Sequence, residues 1–160
     1  MSYAHAALAA FQVVSGYQQA EGIREQANLN QRIGDMNAKY ADMDAWEAEK
    51  FGYTESARYQ NVIDSTISEQ RVGLAAKGVD ISTGTAKALQ DENRLTGMLN
   101  ILDIQKMARQ KAMGFKVQAS NLRLGGQMGQ YQANINASAA RNTGVLNAAS
   151  TGLDYYKGQG

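Results

Sequence analysis

The stretch Lys77-Gly78-Val79-Asp80-Ile81-Ser82-Thr83-Gly84-Thr85 decides how this chain folds. It lies near the midpoint of 160 residues that contain no proline. On both sides Ala, Gln, Glu, Lys, Arg, Met and Leu dominate, all good helix formers, with apolar positions at helical spacing. One short break between two long helix-forming arms predicts an α-helical hairpin. Gly78 suits the left-handed residue just past a helix end, with Lys77 placed favourably against the C-terminal dipole. Thr83 or Thr85 is expected to cap the second helix through its side-chain oxygen.

Working outward, the chain reads as one elongated helical domain. Residues 1–22 are an Ala-rich start, uncharged as far as Ala20 apart from His5, 23–77 an acidic helical arm, 78–84 the turn, 85–116 a basic helical arm, and 117–160 a Gly/Ala/Asn-rich segment of small residues. Arms of about 70 residues at ~1.5 Å rise per residue predict a rod of roughly 100 Å. Such a rod has little interior of its own, so the expected state is extended and oligomeric rather than compact.

In the first arm Leu29, Ile33, Met36, Tyr40 and Met43 recur at alternating steps of four and three, and the stripe resumes at Tyr59, Ile63, Ile67 and Leu74. This spacing predicts the seam against the second arm. Gly34, Gly52 and Gly73 each cost up to about 1 kcal/mol against Ala in a helix interior, so a bend near Gly52 is expected. In the second arm Leu95, Met98, Leu99, Ile101, Leu102, Ile104 and Met107 are apolar around most of the circumference, which implies a neighbour beyond the first arm, another subunit. The seam then narrows to Ala108, Ala112, Phe115, Ala119 and Leu122. Beyond Lys116 small residues recur every fourth position, in one row Gly125, Gly129, Ala133 and Ala137, in another Ala140, Gly144, Ala148 and Gly152. Rows of this kind let helix backbones approach closely and are expected to serve oligomer packing.

Charge is distributed unevenly. Residues 1–80 carry 7 Lys/Arg against 11 Asp/Glu, a net of −4, and residues 81–160 carry 9 against 4, a net of +5. Folding about residue 81 sets positions whose numbers add to about 162 opposite each other. Asp42, Asp44, Glu47, Glu49 and Glu55 then face Lys106, Arg109, Lys111, Lys116 and Arg123, and Tyr3 falls near Tyr155 and Tyr156. Exposed pairs are each worth under about 1 kcal/mol, so they select the register more than they stabilise it.

Several function classes lack their residues. There is no cysteine, hence no disulfide or thiolate metal site. The single histidine, His5, reads as an ordinary surface or packing residue. No Ser/His/Asp set, HExxH, Walker loop or GxGxxG leading from strand to helix is present. No catalytic residue, cofactor or metal is expected, and the acidic run reads as a solvated face. Met1 to Ala20 lacks the basic start and apolar core of a cleaved signal peptide. No run reaches the ~18 apolar residues of a spanning helix, so the chain is expected to be soluble as made. Lys106, Arg109, Lys111 and Lys116 offer a weak DNA surface, since Phe115 is the one aromatic among them. Uncharged ends punctuated by tyrosines leave membrane association open.

The turn, Ala76-Lys77-Gly78-Val79-Asp80-Ile81-Ser82-Thr83-Gly84-Thr85, resembles the (A/S)xGVDxSxGS turn of the small internal virion proteins of short-tailed bacteriophages, also called ejection or DNA-transfer proteins. Gly78, Val79, Asp80, Ser82 and Gly84 match. Thr85 stands where serine is usual, and Ala86 where proline is usual. An Ala/Gly-rich start, a charged helix and a second helix fading into a Gly/Ala tail also follow that layout, although specific identity is confined to about ten residues around the turn. The resemblance implies a protein packaged in the capsid near the portal, beside other internal virion, portal or tail proteins. It further implies ejection with the genome and oligomerisation into a conduit in the host envelope, the smallest such protein lying at the outer membrane. Contact with genomic DNA would follow from that position. The alternative is a non-enzymatic hairpin subunit of another assembly, secreted or part of a filament or tail. The secreted hairpins with a Trp-x-Gly turn do not fit, because Trp46 lies mid-arm without that motif.

Overall fold

The computed structural model describes residues 2–157, with side chains for residues 7–154. It contains two α-helices, α1 (Ser2–Ala76) and α2 (Gly84–Lys157), joined by a seven-residue turn, 77–83. The all-α hairpin expected from the sequence is present. α1 is helical through Gly34, Gly52 and Gly73. His5 and the pairing of Tyr3 with Tyr155 and Tyr156 lie outside the described side chains.

The turn closes α1 with a Schellman motif. The Gly78 N–H donates to Ala75 O at 2.9 Å and the Val79 N–H to Leu74 O at 3.1 Å. These bonds satisfy carbonyls that the helix end would leave unpaired. They require a left-handed residue, and Gly78 has φ +72°. Gly84, the first residue of α2, is likewise left-handed at φ +60°. Asp80 organises the link between them. Its Oδ1 accepts from the Ser82 N–H at 2.8 Å and from the Ser82 hydroxyl at 2.6 Å, and its Oδ2 accepts from the Thr83 hydroxyl at 2.9 Å. This is the local side-chain-to-backbone bonding that aspartate favours in turns. Thr83, expected as a helix cap, turns its hydroxyl to Asp80 instead.

The contacts divide into two units, residues 40–118 and residues 1–39 with 119–160. Within residues 40–118 the seam is made of small side chains. Ala45, Ala48 and Ala112 form a buried cluster against which Phe115 packs. Gly52 abuts the Ala108 methyl position, and Gly97 gives room to Ile63. Toward the turn the seam takes larger residues, Ile63 and Ile67, with Leu74 and Tyr59 half-buried. Asn100 Nδ2 donates to the Tyr59 hydroxyl at 2.8 Å and Asn93 Nδ2 to Gln70 Oε1 at 3.0 Å. The seam expected on α2, Ala108 to Leu122, faces α1: Ala112 and Ala119 are buried, and Ala108, Phe115 and Leu122 half-buried.

Within the other unit the helices touch through glycine and alanine. A Cβ on Gly144 would lie 2.9 Å from Gln12 O and 3.1 Å from Gly16 Cα. Ala20, Ala27, Ala38, Ala119, Ala133 and Ala137 are buried around these contacts. Gln130 Nε2 donates to Asn28 Oδ1 at 3.0 Å, and the Thr151 hydroxyl to Gln12 Oε1 at 3.0 Å. The Ala-rich start therefore runs along the small-residue tail, as folding about residue 81 implies. The facing pairs Gly16 and Gly144, Gly52 and Ala108, and Ile63 and Gly97 have numbers adding to 160, close to the expected 162.

One expected seam is overturned. Leu29, Ile33, Met36, Tyr40 and Met43 are all exposed, between 50% and 58%. The same segment holds a second row at the same spacing, Ala27, Gly34, Ala38, Ala41, Ala45 and Ala48, and this row faces α2. Two rows of equal period differ only in side-chain size. Small residues admit the close backbone approach seen at Gly16 and Gly144, whereas a Leu/Ile/Met row would hold the helices apart.

Candidate assembly interface

Exposed apolar side chains are the main chemical resource of this surface. Among the described residues the buried apolar set consists of eleven alanines with Ile63 and Ile67, while thirty large hydrophobic side chains are exposed. Scattered exposed apolar residues are ordinary on a soluble protein. Rows of them at helical spacing make contiguous patches, which mark interaction surfaces.

On α2 the residues expected to contact another subunit separate into two groups. Ile101 and Ile104 are half-buried toward α1, while Leu95, Met98, Leu99, Leu102 and Met107 are exposed. At 3.6 residues per turn, Leu95, Leu99, Leu102, Met113 and Val117 fall on the side of α2 turned away from Gly97, Ala108 and Ala112. The small-residue rows also divide. Ala133, Ala137 and Gly144 are buried within the hairpin, and Ala140, Ala148 and Gly152 are half-buried. Gly125 and Gly129 are exposed, with open space where a Cβ would stand.

In the unit of residues 40–118 a groove of about 680 Å³ lies alongside the seam. Ala48, Phe51, Gly52, Ile104, Met107, Ala108 and Phe115 make it apolar, and Asp44, Glu47, Glu55 and Lys111 supply its charges. It exists because Ala48 and Gly52 on α1 and Ala108 on α2 are small, while Phe51 and Phe115 wall the space they leave. The small-small spacing was visible in the sequence. The groove was not, because it depends on which row faces the partner helix.

The cross-arm charges are only partly joined. Lys116 Nζ reaches Glu49 Oε1 at 2.8 Å, linking α2 to α1. Asp42 and Arg123 each have an interaction partner. Glu55 is shared with Arg58 of its own helix at 3.5 Å. Arg109 lies in a shallow pocket that also includes Glu49 and Tyr53. Asp44, Glu47, Lys106 and Lys111 form no ion pair among the described residues. Two cation–π contacts accompany these charges, Lys50 over Trp46 at 4.9 Å and Arg141 over Tyr17 at 5.1 Å.

Among the described residues no group of acidic or histidine side chains could hold a metal ion. No helix there is long and apolar enough to cross a membrane. Two carboxylates are shifted, both downward. Asp80 is lowered chiefly by the Ser82 hydroxyl, then by the Ser82 N–H and the Thr83 hydroxyl. Asp91 is lowered by its bond to Lys87, 2.6 Å away, and by that lysine's charge. Neither lies in the groove. Comparison with family models, curated proteins and solved structures gave no match.

Proposed function

We propose that this chain is a structural assembly subunit rather than an enzyme. In its specific form, it is an internal virion protein of a short-tailed phage, ejected with the genome to help build an oligomeric conduit at the host outer membrane. The observation that carries the assembly reading is the inversion of side-chain size, with mainly alanine and glycine, joined by Ile63 and Ile67, inside the hairpin and most Leu, Met, Phe and Tyr side chains outside. Apolar burial contributes roughly 25 cal/mol per Å², so outward rows of this kind favour association wherever copies meet. The phage assignment rests on the turn resemblance at Gly78, Val79, Asp80, Ser82 and Gly84. A segment without disulfides and without a large-residue core could pass a narrow tail and then reassociate through its outer faces. Genomic DNA and other virion proteins would be its neighbours in that setting.

Mass spectrometry of purified virions tests the phage assignment, which requires this chain as an internal particle component retained after surface proteolysis. Its absence from particles, combined with concentration-dependent oligomers of the isolated protein, would favour a hairpin subunit of a different assembly.

A further inference from the structure

We infer that the groove beside Phe51 and Met107 receives the outward face of α2 from a second copy of this chain. The inference rests on the assembly reading and names the surfaces that would carry it. The groove holds three carboxylates, Asp44, Glu47 and Glu55, against one cation, Lys111. Among the described residues Asp44 and Glu47 find no cationic partner, although the sequence places an acidic arm beside a basic one. The opposite arm has a matching vacancy. Lys106 sits in the outward row of α2, flanked by Leu102 at four residues before it and Met113 at seven after it, and it too has no carboxylate partner. Arg109 and Asp103 flank Lys106 at about 60° on either side, so the outward face carries two cations against one carboxylate, with Lys106 between them. An apolar row with a central cation fits an apolar groove with an acidic rim, and each supplies what the other lacks.

The two surfaces differ, so the contact is head-to-tail. Repetition of such a contact closes into a ring or continues as a filament, according to the rotation between copies. It also gives the charge asymmetry of the two arms a second use, between molecules, beyond pairs such as Lys116–Glu49 inside the hairpin.

The test is a charge exchange in full-length protein, followed by sedimentation velocity with helicity checked by circular dichroism. Asp44→Lys with Glu47→Lys makes the groove basic, and Lys106→Glu with Gln110→Glu makes the outer row acidic. Each variant alone should self-associate at least about tenfold more weakly than the native chain. Mixed in equal amounts they should recover native association, because every groove then meets a complementary row. Should either variant lose helicity, Asp44→Asn with Glu47→Gln and Lys106→Gln replace them. These neutral changes should weaken association and flatten its dependence on salt between about 0.05 and 0.5 M. If the native chain associates but neither exchange nor neutralisation alters it, or mixing restores nothing, the groove is not the interface and the assembly reading survives alone. If the native chain stays monomeric at every concentration, the assembly reading fails, and this contact with it.

Discussion

Asp80 does more for the turn than its neighbours. One carboxylate accepts from a backbone N–H and two hydroxyls, all within three residues of sequence. Those bonds favour the ionised form and hold its pKa below the ordinary 3.8. A depressed carboxyl contributes stability that is complete above its unfolded value and disappears as pH falls through the folded one. The Ser82 amide is therefore expected to lose its carboxylate acceptor only as pH falls through the depressed value, and NMR titration of the Asp80 carboxyl should give a midpoint under 3.8. A midpoint at or above it would contradict the arrangement. Two glycines give the second residue-scale prediction. Leu at Gly144 would press on the Gln12 carbonyl and Gly16, backbone atoms that cannot move aside, and should cost about 1–3 kcal/mol of hairpin stability. Leu at Gly129 meets open space and should leave the hairpin within about 0.5 kcal/mol of native, or stabilise it through helix propensity. Urea denaturation of both variants at low concentration compares them directly.

At the scale of the helices, period and partner face are separate pieces of information. The break at 77–83, two helices and an antiparallel register close to 162 could all be read from glycine placement, apolar spacing and charge. The seam of α2 from Ala108 to Leu122 was also legible, because alanine there leaves no competing row. On α1 the reading failed between Leu29 and Met43, where a large row and a small row share one period. Hydrophobic size ranks transfer free energy, but the hairpin seam is decided by how closely two backbones approach. The groove was hidden for the same reason, since Phe51 and Phe115 wall it only when Ala48, Gly52 and Ala108 face inward. Two substitutions distinguish the rows. Ala45→Leu inserts volume into a fully buried site and should destabilise the hairpin by about 1–3 kcal/mol. Ile33→Ala, on the exposed row, should change monomer stability by no more than about 0.5 kcal/mol while weakening any self-association that uses that row.

For the whole molecule, stability and assembly are coupled through the outward rows. If copies cover one another's Leu, Met and Phe side chains, unfolding should depend on protein concentration, with a higher midpoint in concentrated solution. An isolated hairpin would instead unfold at the same midpoint whatever its dilution. Salt should act on the association step, where the unpaired Asp44, Glu47 and Lys106 lie, more than on the hairpin, whose seam between residues 40 and 118 is largely apolar. The native methionines report this most directly. Met36, Met43, Met98, Met107, Met113 and Met128 are each at least half exposed. Peroxide oxidation followed residue by residue by mass spectrometry, across a dilution series, reads all six at once. In dilute monomer all six should oxidise readily, with Met107 and Met113 becoming protected as concentration rises. Protection of Met36 and Met43 in the monomer would place the large row in the seam and contradict the inverted packing, and unchanged oxidation of all six at high concentration would contradict assembly through the outer faces.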